Sequence, residues 1–238
     1  MMRATEFEFR QRPWIFAVMY SASFWLYAVD HVPVGQWIWE WLAKAAQLPE
    51  RMSAHVVLGA AGLVMVVAAL LRTWGSAYLG HEVVHDKAVH SEALRADGPY
   101  RHVRNPLYLG NLLMLPAMGV IAPLAGLPIM LIGVPLFCLR LIGREEAALE
   151  AEQGERYRAY MREVPRLWPS LRARIPASGG RPDWASGLAG EAFFWSFAGG
   201  VIGLAIFLKP AWFFAGLVLS PLFSVAAVWA VRKRSPKR

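Results

Sequence analysis

The sequence predicts an all-α integral membrane protein with about six transmembrane helices. Its 238 residues are 56% hydrophobic, above the ~45–50% usual in soluble domains. The apolar residues gather in long blocks, as membrane spans require. Eleven tryptophans point the same way, and the basic residues flank the blocks.

In chain order, residues 1–12 are charged with both signs and lack the basic-apolar-small pattern of a signal peptide. Residues 14–29 read as span one, ended by Asp30, His31 and Pro33. Residues 36–46 are rich in tryptophan but carry Glu40 and Lys44, which predicts an interfacial helix. Residues 54–71 read as span two, closed by Arg72, and 73–97 as a polar, partly helical segment holding three histidines. Pro106 opens span three, to about Ile121. Pro123, Gly126 and Pro128 make a short connection into span four, which ends near Ile142. Residues 143–164 are highly charged and helical in composition, with a break expected at Gly154. A Pro/Gly/Ser/Arg linker follows over 165–184. Residues 192–208 read as span five, where Gly199 and Gly203 have the spacing that lets helices pack closely. Lys209-Pro210 makes a turn, 211–231 is span six, and 232–238 is a basic tail. The expected units are 1–71 with spans one and two, a core at 72–169 with spans three and four, a linker at 170–189, and a C-terminal unit at 190–238.

A net charge of +8 raises nucleic acid as a partner, but basic residues beside apolar blocks fit an anionic membrane surface better. With both termini on one side, only Lys44, Arg51 and Lys209 of the 25 Lys and Arg fall on the other. The positive-inside rule therefore predicts cytoplasmic termini in the cytoplasmic (inner) membrane. The single cysteine, Cys138, excludes an internal disulfide framework and a cysteine-cluster metal site.

Two polar groups face the expected cytoplasmic side. One is Gly98-Pro-Tyr-Arg-His-Val-Arg-Asn-Pro-Leu-Tyr-Leu-Gly110, with its lead-in Ser91-Glu92-Ala93-Leu94-Arg95. The other starts at Arg140 and runs through Arg144, Glu145 and Glu146. The span three–four hairpin brings them together. A cationic small molecule could sit between them, with Glu145 or Glu146 supplying negative charge, Tyr100 and Tyr108 supplying π faces, and Arg104 or Arg140 holding a carboxylate. The plainer reading is a set of boundary charges satisfied by water and lipid headgroups.

The ordered set Gly98-Pro-Tyr-x-x-x-Arg-Asn-Pro-x-Tyr-x-Gly110, Glu145-Glu146, Gly154-x-x-Tyr157-x-x-Tyr160 and Val164-Pro165-Arg166-x-x-Pro169 resembles the isoprenylcysteine carboxyl methyltransferase and phospholipid methyltransferase family. The resemblance spans roughly 72–169. It implies an integral membrane methyltransferase that binds S-adenosylmethionine in a cytoplasm-facing pocket. Glu92, Leu94, Arg95, Gly98, Tyr100, Asn105, Pro106 and Tyr108 would contribute to that pocket, with Glu145 and Glu146 opposite. Glu145 would hold the adenosyl moiety or the methionine amine. The acceptor would be lipid-like or a small hydrophobic molecule methylated at a carboxylate, an amine or a thiol. Arg140, Arg144 and Arg104 would serve an acidic acceptor, and His102 is the nearest base for an amine. The chain departs from the family twice. Asn105 stands where the eukaryotic carboxyl methyltransferases have histidine, and their substrate-contacting arginine falls near Leu141, so Arg140 or Arg144 would have to replace it. Both departures speak against prenylcysteine as the acceptor.

Three competing readings remain. His81-Glu82-Val83-Val84-His85 matches the short HExxH zinc-hydrolase pattern, but no metal site is expected there. An NADPH-dependent membrane reductase of sterol-reductase type has a similar tyrosine- and arginine-bearing stretch, although the 154–165 motifs favour the methyltransferase. The third is a non-enzymatic lipid-binding protein.

Overall fold

A computed structural model describes residues 2–79 and 96–234, without the side chains of residues 232 and 234. The histidine-bearing stretch 81–85 and the expected pocket residues Glu92, Leu94 and Arg95 lie outside the described residues. The described chain is helical, with one isolated bridge between Pro33 and Pro123.

The first short helix, α1 (Glu6–Arg10), is opened by a capping box in which the Thr5 hydroxyl accepts from the Glu8 N–H and Glu8 reaches back to the Thr5 N–H. Helix α2 (Arg12–Trp25) carries Pro13 in its first turn. A 3-10 turn at Leu26–Ala28 ends it, so the first apolar helix stops short of the expected residue 29. Tyr27 donates to the Ile121 carbonyl and Asp30 accepts from the Leu124 N–H. The chain leaves the helix where these partners hold it. The tryptophan-rich α3 (Val34–Ala46) follows.

Helix α4 (Glu50–Leu79) is 30 residues long, about 45 Å at 1.5 Å per residue. It continues past Arg72, where the sequence had suggested an end, because the buried guanidinium finds partners on other helices. Helix α5 (Pro106–Ile121) has the expected bounds. A 3-10 turn (Leu124–Gly126) and a π-helical turn (Ile129–Gly133) lead into α6 (Val134–Gln153). The break falls at Gly154, whose φ of +56° favours glycine, and α7 (Glu155–Glu163) follows. After an irregular stretch come α8 (Trp184–Gly190), α9 (Ala192–Phe207) and α10 (Pro210–Arg234).

Three helical runs are long and apolar enough to cross a membrane: α4, the run Leu124–Gln153 ending in α6, and Pro210–Val231 of α10. A fourth is added if α8 and α9, bent by 64° at Glu191, count as one span. Helix α5 is apolar but shorter, at 16 residues. The outward faces of α2 and α10 expose Trp14, Val18, Trp25, Val218, Leu222 and Val225. So large an exposed apolar surface fits a lipid environment better than water.

Helix α4 is central and packs against α3, α5, α8 and α9. Their shared core holds Met65, Ala68, Met114, Met118, Met130, Phe197 and Val201. Helices α9 and α10 approach most closely at Gly200 and Gly216, where a Cβ on Gly200 would fall 2.9 Å from the Gly216 Cα. The glycine pair expected from spacing is only half right. Gly203 packs under Trp212, but Gly199 faces open space.

Candidate functional site

The stretch between α4 and α5 is built as a turn that must stay folded. Gly98 has φ +56°, with the Tyr78 ring against its α-carbon, so a side chain there would strain the backbone and meet the ring. A 3-10 turn over Gly98–Arg101 follows. Tyr160 of α7 donates to the Tyr100 carbonyl at 2.8 Å. The Arg104 N–H donates to the Pro165 carbonyl at 2.9 Å. Asn105 then precedes Pro106, which starts α5 with a residue that has no N–H to satisfy.

The stretch 165–183, expected as a linker, is a strap sewn across this turn. The Ser170 N–H donates to the His102 carbonyl and the Arg174 N–H to the Arg101 carbonyl, both at 2.9 Å. His102 Nδ1 returns a bond to the Ser170 carbonyl at 2.8 Å. Asp97 accepts from the Ser178 hydroxyl (2.6 Å), the Ser178 N–H (2.8 Å) and the Gly180 N–H (2.6 Å). These bonds, the Ser178 hydroxyl first, hold the Asp97 carboxyl below the usual carboxylate range.

Opposite the turn stands α6. Glu146, nearly buried, accepts from Arg104 Nε and Asn105 Nδ2 at 3.0 Å on one oxygen, and faces Arg166 Nε at 3.0 Å on the other. Asn105 also donates to the Arg166 carbonyl at 3.1 Å, and Arg104 to the Met161 carbonyl at 2.7 Å. One carboxylate thus ties the turn, the end of α7 and the strap together. Glu145 differs. It accepts from the Tyr108 hydroxyl at 2.8 Å and makes no salt bridge among the described residues.

Tyr100, Arg104, Asn105, Pro106, Tyr108, Glu145 and Glu146 all line one cavity of about 2360 Å³. Its polar end is completed by Tyr157 and Tyr160, and its apolar limb runs between α2, α5, α9 and α10 past Phe24, Met118, Phe197 and Phe213. The Tyr100 hydroxyl is buried with no hydrogen-bond partner among the described residues, and burial pushes its pKa well up. It is therefore a neutral donor in want of an acceptor.

Four of the residues expected at the site lie elsewhere. Gly98 and His102 belong to the turn but do not line the cavity. Arg140 and Arg144 face α1. One terminal nitrogen of Arg140 donates to both Glu8 oxygens, at 2.6 and 2.9 Å, and Arg144 pairs with Glu6 and donates to the Ala4 carbonyl at 3.3 Å. Their charge is spent on holding the N-terminus, since they leave α6 about 100° or more around the axis from its cavity side.

Arg12 and Arg72 are among the cavity-lining residues that were not expected. Arg12 of α2 reaches the cavity with its guanidinium 4.3 Å from the Phe9 ring centre. Arg72 lines it at mid-depth. Arg72 Nε donates to Glu191 at 2.6 Å, and one terminal nitrogen donates to the Leu107 carbonyl (2.9 Å) and to Asn111 (2.8 Å). Ser76 also donates to Glu191, and the guanidinium lies 3.8 Å from the Phe194 ring centre. The fully buried Glu191 occupies the bend between α8 and α9. Its sequence signal was a lone acid between apolar stretches, which needs a cationic partner in a membrane protein.

The chain matches no family model, no curated protein and no solved structure.

Proposed function

We propose that the chain is a six-span helical protein of the cytoplasmic membrane, with both termini cytoplasmic, that transfers a methyl group from S-adenosylmethionine to a lipid-like or small hydrophobic acceptor. The observation that carries this reading is the cavity itself. Glu145, a carboxylate without a salt bridge, and Tyr100, a buried hydroxyl without a hydrogen-bond partner, both among the described residues, line one end of a chamber whose other end is apolar.

The residues present fit the cofactor. Glu145 would accept from its amine or adenosyl groups, Tyr100 would donate to one of its acceptors, and the Tyr108, Tyr157 and Tyr160 rings would offer π faces to its positive charge. Arg104 and Arg166 are already bound to Glu146, so the mouth suits a cationic ligand better than the phosphates of NADPH. When bound, the cofactor supplies a methyl group on a sulfonium, open to in-line displacement. The protein's share is to orient and to exclude water. The Glu146 cluster fixes the turn, Tyr108 holds Glu145 in place, and the apolar limb takes the acceptor's hydrophobic part. His102 donates to the strap carbonyl and Arg140 and Arg144 serve α1, so the reading assigns none of them to the acceptor.

Calorimetry on detergent-solubilised protein tests it. S-adenosylmethionine or S-adenosylhomocysteine should bind, and Glu145→Gln should weaken binding about ten- to a hundredfold, the worth of a hydrogen bond to a charged group. Transfer of labelled methyl from S-adenosylmethionine into a membrane lipid extract should fall with it. No heat with either compound, from protein that is folded by thermal unfolding, would overturn the reading.

A further inference from the structure

The strap has a feature that the cavity does not use. Trp168 is 87% exposed and Leu171 99% exposed, in a segment otherwise held firmly by the turn beneath it. Between this segment and α7 lies a shallow groove of about 560 Å³. Arg104, Arg162, Arg166 and Arg174 line it, with Glu163 the single acid in its wall. Arg172 and Arg181 are exposed further along the strap. The strap also lies at the end of a helix long enough to cross a membrane, since the Asp183 N–H donates to the Ala77 carbonyl of α4 at 2.8 Å.

We propose that the strap is a docking element for anionic phospholipid, with Trp168 and Leu171 inserted among the headgroups and an acidic headgroup phosphate seated in the arginine groove. The two apolar side chains and the groove make one composite surface. A tryptophan and a leucine held out into water gain nothing there, whereas at a bilayer interface both are favoured. Glu146 takes up Arg104 and Arg166 together and Glu155 pairs with Arg162, but Arg174 gives its Nε to the Glu163 carbonyl and not to a carboxylate, and Arg172 and Arg181 add to the positive excess, so the surface is matched by an anion. A free phosphate would fill the groove but give no reason for the exposed Trp168 and Leu171, so the occupant is a lipid of the surrounding leaflet. Because Arg166, Ser170, Ser178 and Gly180 bond to the turn and to Glu146, a strap pressed onto lipid also braces the wall of the cavity. This inference does not rest on methyl transfer.

The test uses the full chain in nanodiscs. Leu171→Cys carries an environment-sensitive fluorophore, and unlabelled Cys138 is buried and does not compete. In discs containing phosphatidylglycerol the emission should shift to the blue and be quenched by lipids spin-labelled near the headgroup. In discs of phosphatidylcholine alone both effects should be weaker. Arg162→Gln and Arg174→Gln should each reduce the preference for anionic discs about fivefold. A water-like spectrum in both kinds of disc overturns the proposal, and so does equal insertion in both. Loss of the anionic preference on adding inorganic phosphate at constant ionic strength assigns the groove to a free anion and overturns the lipid assignment.

Discussion

The two faces of α6 carry charges of similar number to very different ends. Arg140 and Arg144, one turn apart, face α1 and meet Glu8 and Glu6 in pairs that water still reaches, the Glu6 side chain being 68% exposed. Glu145 and Glu146 follow immediately in sequence but point about 100° and more around the axis, into the cavity wall, where the Glu146 side chain is 7% exposed. Helical phase, not residue type, separates the charges that fasten the N-terminus from those that frame the chamber. The same charge costs little on one face and cannot be left unpaired on the other.

The largest effect that contrast predicts is on the buried face. Glu146→Ala strips the carboxylate from Arg104 and Arg166 together and should cost about 3–5 kcal/mol, read as a large fall in thermal midpoint in detergent. A small loss would mean that the mouth is held by the strap and not by Glu146. On the exposed face, Arg140→Ala should cost under about 1 kcal/mol and leave cofactor binding unchanged in calorimetry. Equal losses from the two variants would erase the distinction between the faces.

The smallest effect is on pH. The Arg140 guanidinium, followed by the Thr5 N–H, lowers the Glu8 pKa from 4.5 to about 2. A folded-state pKa below the unfolded one adds stability that is complete above about 4.5 and is lost as the pH falls toward about 2. The bonds from Ser178 and Gly180 give Asp97 the same sign, with its share disappearing below the ordinary aspartate range. Thermal midpoints taken from pH 6 down to 2.5 should therefore fall in the wild type and fall less in Arg140→Ala, which retains the Asp97 share and the part of the Glu8 shift that Thr5 supplies. Parallel curves would show that the Glu8 pair adds no stability.

Much of the helical frame could be read from the sequence because its signals are local. Pro106 and the polar residues before it mark the start of α5, and Gly154 marks the break between α6 and α7. The direction in which a charged residue points was not legible. Arg140, Arg144 and Glu145 look equally available in sequence, and only the packing of α1 against α6 takes two of them away. Arg72 looked like the end of a span because its partner, Glu191, lies 119 residues on. The strap looked like a linker because its bonds run through backbone groups, which composition does not reveal.

The Arg72–Glu191 pair has a consequence for how the chain is made. During synthesis the arginine emerges long before the glutamate, and until α8 and α9 arrive it is a cation among apolar helices with half its bonds unmade. The last helices are therefore a completing part and not an appendage. A polypeptide ended by a stop codon near residue 183 would keep the residues of the turn, α6 and the strap, yet leave Arg72 without its carboxylate partner, an uncompensated charge that apolar surroundings do not tolerate.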